Sequence, residues 1–218
     1  MGQKVNPHVI RLGTVFNWSS RWFNERNYKN VVLEDYGLRT MLMKRLKTAG
    51  VASIVLERSI NSLRIIIHVS RPGIVIGRGG TGLEELKKAI VAFLVTLNGA
   101  KAMPKLDIRV EPVKEPNLNA QLVAINVSDQ LIRRLPFKRV LNSTAERVMS
   151  SGALGVKIML TGRIGGAEIG RREKIRLGTV PVSTIRANIS YAQVPALTKK
   201  GYIGIKVWIN RPEGKDII

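Results

Sequence analysis

The 218-residue sequence has 36 Lys and Arg against 15 Asp and Glu, a formal net charge of +21 and an isoelectric point near 11.0. This positive excess is far beyond what solubility requires, and it predicts a polyanionic partner. The absence of cysteine excludes disulfides, thiolate zinc sites and cysteine nucleophiles, and 44% hydrophobic residues exclude wholesale disorder.

Chain length and charge distribution predict two domains of about 100 residues each. Residues 1–111 contain 18 basic and 8 acidic residues, a net charge of +10, and residues 112–218 contain 18 and 7, a net charge of +11. We therefore expect both halves to contact the polyanion. The first fifteen residues are polar, basic and broken by Pro7, and no apolar run approaches about 18 residues. We expect no signal peptide, no membrane span and a cytoplasmic location.

Residues 1–14 are too interrupted by glycine and proline to form a helix or a strand. We interpret them as an arm carrying Lys4 and Arg11, which either stays disordered or becomes ordered on RNA.

Three aromatic residues lie close together after this arm. They are Trp18, Trp22 and Phe23. We interpret them as an anchor that packs this segment onto a domain, with base stacking as the alternative.

Apolar periodicity predicts one helix and two strands before residue 71. Leucines recur at i, i+4 and i+8 in residues 36–49, which predicts an amphipathic helix that ends at Gly50. Alternating apolar residues predict strands over residues 52–58 and 63–70.

A glycine-dense loop follows the second strand. It consists of Gly77, Arg78, Gly79 and Gly80. Glycines can adopt positive φ and let a polyanion approach the main chain closely, and the arginine supplies a positive charge. Apolar residues at three- and four-residue steps predict a helix over residues 81–97. The loop thus ends at a helix N-terminus, where free N–H groups and the macrodipole favour anions.

Two kinds of phosphate-binding loop fit these residues, and a glycine turn without a ligand is a third interpretation. The dinucleotide fingerprint G-x-G-x-x-G begins at Gly77, but Pro72 leaves little room for a preceding strand and the first candidate acid is Asp107. Residues 76–80 also satisfy I-G-x-x-G, by which KH domains grip about four nucleotides of single-stranded nucleic acid. With a further strand over residues 105–113, the order helix, strand, strand, short helix, loop, helix, strand is that of a type II KH domain.

The second half begins at Glu115 and Pro116 and is predicted to form two helices followed by four strands. Helical periodicity covers residues 117–135 and 137–150, separated by Pro136. Apolar alternation predicts strands near residues 156–160, 169–177, 188–194 and 203–209, with a short helical turn over residues 181–186. Two helices on a four-stranded antiparallel sheet is the simplest arrangement, so the predicted fold class is α+β.

The sequence offers little material for catalysis. The nearest acid pairs are Glu84 with Glu85 and Asp107 with Glu111. Helix-start electrostatics and a solvent-facing strand explain these pairs. The histidines His8 and His68 lie 60 positions apart, and the P-loop motif is absent. We predict no catalytic residue, no metal and no cofactor.

Four ordered segments resemble the bacterial small-subunit ribosomal protein S3 family. They are MGQKVNP at the start, SRPGIVIGRGG at residues 70–80, GRIGGAEIGRRE at residues 162–173 and GYIGIKVWI at residues 201–209. The resemblance implies an N-terminal arm and type II KH domain with a three-stranded mixed sheet over residues 1–111, and a C-terminal α/β domain over residues 112–218. It also implies binding to small-subunit rRNA in the head and a position where mRNA enters. The implied neighbours are ribosomal proteins S10 and S14, with S4 and S5 near the mRNA channel.

Two groups of basic residues are expected to contact RNA. The resemblance implies that Arg133, Arg134, Lys138 and Arg139 lie at the mRNA channel, with a solvated helix face as the alternative. Those expected to bind rRNA are Lys4, Arg11, Arg163, Arg171, Arg172, Lys174 and Arg176. Glycines between residues 162 and 170 would let the backbone there approach phosphates, and a flexible solvated hairpin is the alternative. The sequence departs from many relatives at Arg78 and Gly79, where those have lysines, and at Asn142, where those have a third basic residue. A free KH-type RNA-binding regulator or chaperone is the alternative function.

Overall fold

The computed structural model describes residues 4–98 and 104–212, and these form two compact units. Residues 18–114 make up the N-terminal unit, whereas residues 4–17 join residues 115–212 in the C-terminal unit. Residues 1–3 of the predicted arm and the predicted break at Gly99 lie outside the described residues. None of the described helices is long and apolar enough to cross a membrane.

Helices and a four-stranded mixed sheet build the N-terminal unit. Its elements are β1 (Ser20–Arg21), α1 (Tyr28–Arg45), β2 (Val51–Arg58), β3 (Ser62–Val69), α2 (Pro72–Ile76), α3 (Thr81–Asn98) and β4 (Lys105–Pro112). The strand order is β1-β2-β3-β4, with β2 antiparallel to β3 and both outer pairs parallel. The predicted order of elements is confirmed. The differences are that α1 begins at Tyr28, and that β1 adds a fourth strand to the three expected.

The core of the N-terminal unit lies between the sheet and the apolar sides of α1 and α3. Leu38 and Leu42 of α1 and Ile90 of α3 are fully buried, as are Ile65 and Ile67 of β3. Burying each such side chain stabilises the fold by about 1.5–3 kcal/mol. The leucine spacing of α1 and the alternation of β3 therefore directed these side chains into one core, as predicted.

A buried carboxylate, Asp35 on α1, holds β1 against the N-terminal unit. It accepts hydrogen bonds from the Ser20 hydroxyl (2.8 Å), the Trp22 indole N–H (2.9 Å) and Nε of Arg58 (2.8 Å). The predicted aromatic anchor is therefore Trp22 alone. The other two rings of that cluster are exposed, at 65% for Trp18 and 86% for Phe23.

Two helices and a four-stranded antiparallel sheet build the C-terminal unit, which confirms the α+β prediction. The elements are α4 (Ala120–Ile132), α5 (Phe137–Ser150), β5 (Gly155–Gly162), β6 (Arg171–Gly178), β7 (Ile189–Thr198) and β8 (Gly201–Asn210). The strand order is β6-β5-β8-β7. Val156, Ile158 and Leu160 of β5 are fully buried in the core that α4 and α5 share with one face of the sheet. The opposite face, called the open face below, carries the alternate residues of each strand.

Residues 4–17 are ordered on the C-terminal unit because Arg11 is fully buried there. Its Nε donates to the carbonyl of Ala187 (2.8 Å), Nη1 to Pro7 (2.8 Å), and Nη2 to Val182 (2.8 Å), Thr184 (2.7 Å) and Pro181 (3.4 Å). We therefore assign residues 4–17 to the second domain rather than the first. The predicted rRNA contact of Arg11 is contradicted, since the guanidinium has no exposed surface.

The segment 181–186 is an irregular loop, so the predicted helical turn is wrong. The N–H of Thr184 donates to the carbonyl of Pro181 (3.3 Å) and that of Ala187 to the carbonyl of Thr184 (3.2 Å), which gives two separate turns and no helix. The carbonyls of Pro181, Val182 and Thr184 also accept from Nη2 of Arg11.

Candidate nucleic-acid interface

The loop of Gly77, Arg78, Gly79 and Gly80, called the KH loop below, lies between α2 and α3. Gly77 has φ +71°, and a Cβ there would lie 2.8 Å from the amide nitrogen of Gly82, so this glycine is needed for the close approach of the two helices. Gly79 and Gly80 also have positive φ, at +62° and +85°, but open space lies where their Cβ atoms would be. A ligand can therefore approach the main chain at Gly79 and Gly80.

The surroundings of the KH loop exclude the dinucleotide fingerprint. That fingerprint requires a strand directly before the first glycine, whereas here the helix α2 occupies Pro72–Ile76 and β3 has already ended at Val69. Arg78 is exposed, and its carbonyl accepts a hydrogen bond from the Thr81 hydroxyl (3.0 Å) at the start of α3. The loop thus joins two helix ends, with its one cation free to reach a phosphate.

Six cations, called the sheet-face cluster below, lie on or beside the open face of the C-terminal sheet. They are Lys4, Lys157, Arg172, Lys174, Arg176 and Lys206. Strand pairing places Lys157 between Arg176 on β6 and Trp208 on β8. The described strand residues of this face include no Asp or Glu. The face is therefore positive without internal neutralisation.

Lys157 is at the centre of this positive field. Its burial, together with the positive charges of Lys4, Lys174 and Arg176, lowers its pKa from the ordinary lysine value. The Lys157 ammonium lies 4.9 Å from the ring centroid of Trp208, and the ring of Tyr191 packs beside that indole at 5.2 Å. A bound phosphate would relieve the repulsion among the cations.

The five basic residues predicted to form one rRNA surface between residues 163 and 176 are divided between two regions. Arg172, Lys174 and Arg176 lie on the open face. Arg171 lies on the opposite face of β6, with its guanidinium 5.4 Å from the ring centroid of Phe137 at the start of α5. Because side chains of a strand alternate between faces, the adjacent residues 171 and 172 point in opposite directions.

Sequence reasoning missed Lys157 and Lys206, although a signal for both was present. Each is the single charged residue in an otherwise apolar strand pattern, VKIML on β5 and IGIKVW on β8. Such residues occupy the face of the sheet that is not packed on the core. The signal did not reveal that these two lysines would join residues of β6, because that depends on strand order.

The predicted mRNA residues lie together at the connection between α4 and α5. They are Arg133, Arg134, Lys138 and Arg139, and all four are exposed. Within the described part of the chain none of them pairs with a carboxylate. The first turn of α5 contains no acid, and its N-cap residue Pro136 makes no side-chain capping bond. The helix start thus combines unpaired N–H groups with two cations, which an external anion would satisfy.

Asp107, Glu111 and both histidines, which the sequence offered as catalytic groups, have other contacts. Asp107 pairs with Arg64 (3.0 Å) and Arg109 (3.4 Å), and Glu111 lies 3.4 Å from Nδ1 of His68. Burial lowers the pKa of His68 below its ordinary value. His8 stacks on Phe16 with ring centroids 4.3 Å apart. Each contact is explained by packing or ion pairing within its own unit.

Comparison with known proteins finds two matching families and many full-length relatives. Residues 37–118 match the KH domain family, and residues 127–209 match the family described as ribosomal protein S3, C-terminal domain. The small ribosomal subunit protein uS3 of Lachnoclostridium phytofermentans is 42% identical over 99% of this chain and 100% of its own length. The protein of the same name from Desulfosudis oleivorans is 45% identical over 98% of this chain and 96% of its own length. The uS3 protein of Clostridioides difficile is 44% identical over 96% of this chain and 75% of its own length.

Proposed function

Because this chain belongs to the uS3 family of small ribosomal subunit proteins, we propose that it is a structural constituent of that subunit. In this role it binds rRNA of the subunit head and contacts mRNA at the channel where mRNA enters, on cytoplasmic ribosomes. The observation that carries the proposal is the sheet-face cluster, because the sheet face offers no carboxylate to these six cations and a polyanion would neutralise them. No catalytic step is part of the proposal.

The rRNA contact is assigned to the sheet-face cluster, and Arg11 is left out of it. Burial, and after it the positive charges of Lys4, Lys174 and Arg176, lower the pKa of Lys157, so these cations repel one another in the free protein. Phosphates placed between the cations would reverse the sign of that interaction and release counterions. The Trp208 ring beside Lys157 is itself buried, in a small cluster with Val180 and Ile189, so the contact assigned to this face is one to phosphates.

Reversing two charges of the cluster is expected to impair assembly. Lys174→Glu combined with Arg176→Glu should lower incorporation into small subunits at least about tenfold in competition with the parent chain, because phosphate contacts would become repulsive. Incorporation is measured by reconstituting subunits from a mixture of parent and variant chains and quantifying each by mass spectrometry.

The matched control for this assembly experiment is Arg147→Glu combined with Arg186→Glu. Both arginines are exposed in the C-terminal unit and lie outside the sheet-face cluster, so the change in net charge is the same. We expect the control to incorporate like the parent. Equal loss for both double variants would mean that net charge alone matters and that the open face has been assigned wrongly.

The proposed protein neighbours are ribosomal proteins S10 and S14, with S4 and S5 near the mRNA channel. The alternative is a free RNA-binding regulator or chaperone, which the KH domain would equally suit. Gradient fractionation of a native lysate separates the two functions. A structural constituent sediments with small subunits and 70S ribosomes, whereas a free regulator stays near the top of the gradient.

The mRNA contact is assigned to Arg133, Arg134, Lys138 and Arg139. Cations in the first turn of a helix oppose the macrodipole, so the stability of α5 does not explain Lys138 and Arg139. Phosphates of an mRNA strand would compensate both the cations and the free N–H groups. Held strands could then be separated passively while translocation supplies the force.

Removing both α5 cations is expected to slow translation of structured messages selectively. Lys138→Ala with Arg139→Ala should reduce the elongation rate through a stable downstream hairpin and leave the rate on an unstructured message unchanged. Single-message elongation rates with reconstituted ribosomes provide the measurement. If parent and variant elongate equally on both messages, these two residues play no part in unwinding.

The KH loop is expected to grip single-stranded RNA through its open backbone. Arg78→Asp with Gly79→Asp should weaken binding of a single-stranded oligonucleotide to the full chain about tenfold or more, because two carboxylates would face phosphates. Circular dichroism should be unchanged, since a Cβ at residue 79 meets no atom within 4 Å and aspartate tolerates positive φ. Unchanged affinity would reduce the loop to a turn between helices.

A further inference from the structure

A cavity of about 390 Å³ lies at the end of the C-terminal unit where α4 meets α5. The connection between α4 and α5, the loop after β5 and the turn between β7 and β8 all contribute to it. Its apolar lining consists of Leu131, Leu135, Pro136, Phe137 and Ile203. The volume falls in the range of about 300–1,000 Å³ that is usual for small-ligand sites.

Four cations line the same cavity. They are Arg134, Arg163, Lys199 and Lys200. None of the lining residues is acidic, and among the described residues none of these cations belongs to an ion pair. The Arg163 guanidinium is held by a hydrogen bond from Nε to the carbonyl of Ala167 (2.8 Å). The cavity therefore suits a group with an apolar body and negative charge.

Arg134 occupies this cavity at a cost to the local backbone. It is the one described residue other than glycine with positive φ, at +64°. Its N–H donates to the carbonyl of Leu131 (3.0 Å), and the N–H of Leu135 donates to the carbonyl of Gln130 (3.2 Å). This is the Schellman arrangement that ends a helix, and glycine is the preferred residue at the left-handed position. Helix termination therefore does not explain the arginine, whereas a bound anion would.

We infer that the cavity binds one unpaired nucleotide of RNA, with the base against the apolar lining and the flanking phosphates near the four cations. The inference rests on the proposed RNA-binding function and adds to it a site for a base. Phosphate contacts alone would leave the apolar lining without a partner. A base provides a flat apolar body, and its own backbone provides the charge on both sides. The site joins Arg134 and Arg163, which the sequence assigned to separate mRNA and rRNA groups.

Photo-crosslinking of the full chain to a twelve-residue oligouridine tests the site. A single 5-iodouridine at the centre of the oligonucleotide reports which residues contact a base, and mass spectrometry identifies them. We expect crosslinks in residues 131–137, 163–166 or 198–203. An oligonucleotide with an abasic sugar at the same position keeps every phosphate, and we expect it to bind about 5- to 100-fold more weakly.

Two glutamate substitutions provide a matched pair. Leu135 lines the cavity and is 46% exposed, whereas Leu154 lies outside it and is 51% exposed. Leu135→Glu should abolish the cavity crosslinks. It should also make the affinity for the intact oligonucleotide equal to that for the abasic one. Leu154→Glu changes the net charge equally and should leave both results as in the parent.

Arg134→Gly tests the arginine at the strained backbone position. It should raise the melting temperature, because glycine accepts the positive φ, and it should lower the yield of cavity crosslinks.

Four results would overturn the inference. Crosslinks confined to other parts of the chain, or equal effects of the two glutamate substitutions, would mean that no base enters the cavity. Competition by an acidic, phenylalanine-containing peptide as strong as that by RNA would assign the cavity to a protein tail. Failure of the parent chain to bind either oligonucleotide would refute the proposed function itself and the inference with it.

Discussion

Replacing Arg11 with alanine is expected to lower the free energy of unfolding of the C-terminal unit by about 3 kcal/mol. Hydrogen bonds to a charged group are each worth about 1.5–3 kcal/mol, and the substitution removes the donors of five carbonyl contacts. The total is less than their sum, because burying the cation is itself costly. Urea titration followed by far-UV circular dichroism measures the loss.

Amide hydrogen exchange shows whether Arg11→Ala loses stability in the segments that the Arg11 side chain contacts. Exchange should accelerate in residues 4–17 and 179–188, which the guanidinium joins, and stay unchanged in the N-terminal unit. Arg11→Lys keeps the charge with fewer donors and should recover only part of the stability. Arg186→Ala removes an exposed arginine from the same loop and serves as the control. Unfolding of Arg11→Ala at the parent's urea concentration would contradict the buried role.

Raising the salt concentration from about 50 to 200 mM is expected to weaken binding of structured RNA by about 10³- to 10⁵-fold, as when about 6–10 phosphates are neutralised. The sheet-face cluster alone supplies six cations, and aromatic residues make up only 5% of the chain. Phosphate contacts should therefore dominate over stacking. The slope of log affinity against log salt measures this contribution.

A neutral variant of the cluster tests the origin of the salt dependence. Lys157, Lys174 and Arg176 changed together to glutamine should reduce the magnitude of the slope by about 2 to 3, since each phosphate contact contributes about 0.7–0.9. Glutamine in place of Arg147 and Arg186 should leave the slope unchanged. If the slope of the triple variant equals that of the parent, the phosphates are bound elsewhere.

Most elements of the fold could be predicted from sequence because their apolar spacing is local. Helix α5 occupies Phe137–Ser150 as expected, since its apolar residues recur with the helical period and Pro136 marks its start. The strands of both sheets likewise follow the alternation of their side chains. The apolar spacing predicts that α1 begins at residue 36, whereas the helix begins at Tyr28, because its first turns carry no clear apolar periodicity.

The candidate interface was predictable only in part. Basic residues at every second position of β6 indicated a charged strand face, and that face exists. Strand alternation also separates Arg171 from Arg172, so the sequence contained the information that one predicted surface would be divided. Lys157 and Lys206 belong to the same face only through the pairing of β5 with β6 and β8.

The sequence alone determined the positive charge, the two domains, the glycine loop between helices and the class of each element, because composition and short-range periodicity encode them. Tertiary structure decided which cations are available to RNA. It buried Arg11 under carbonyls from a loop about 170 residues away, and it gathered six cations from four separate segments on and beside one sheet face. Hydrogen-bond partners and strand order join residues far apart in the chain, and no local pattern specifies them.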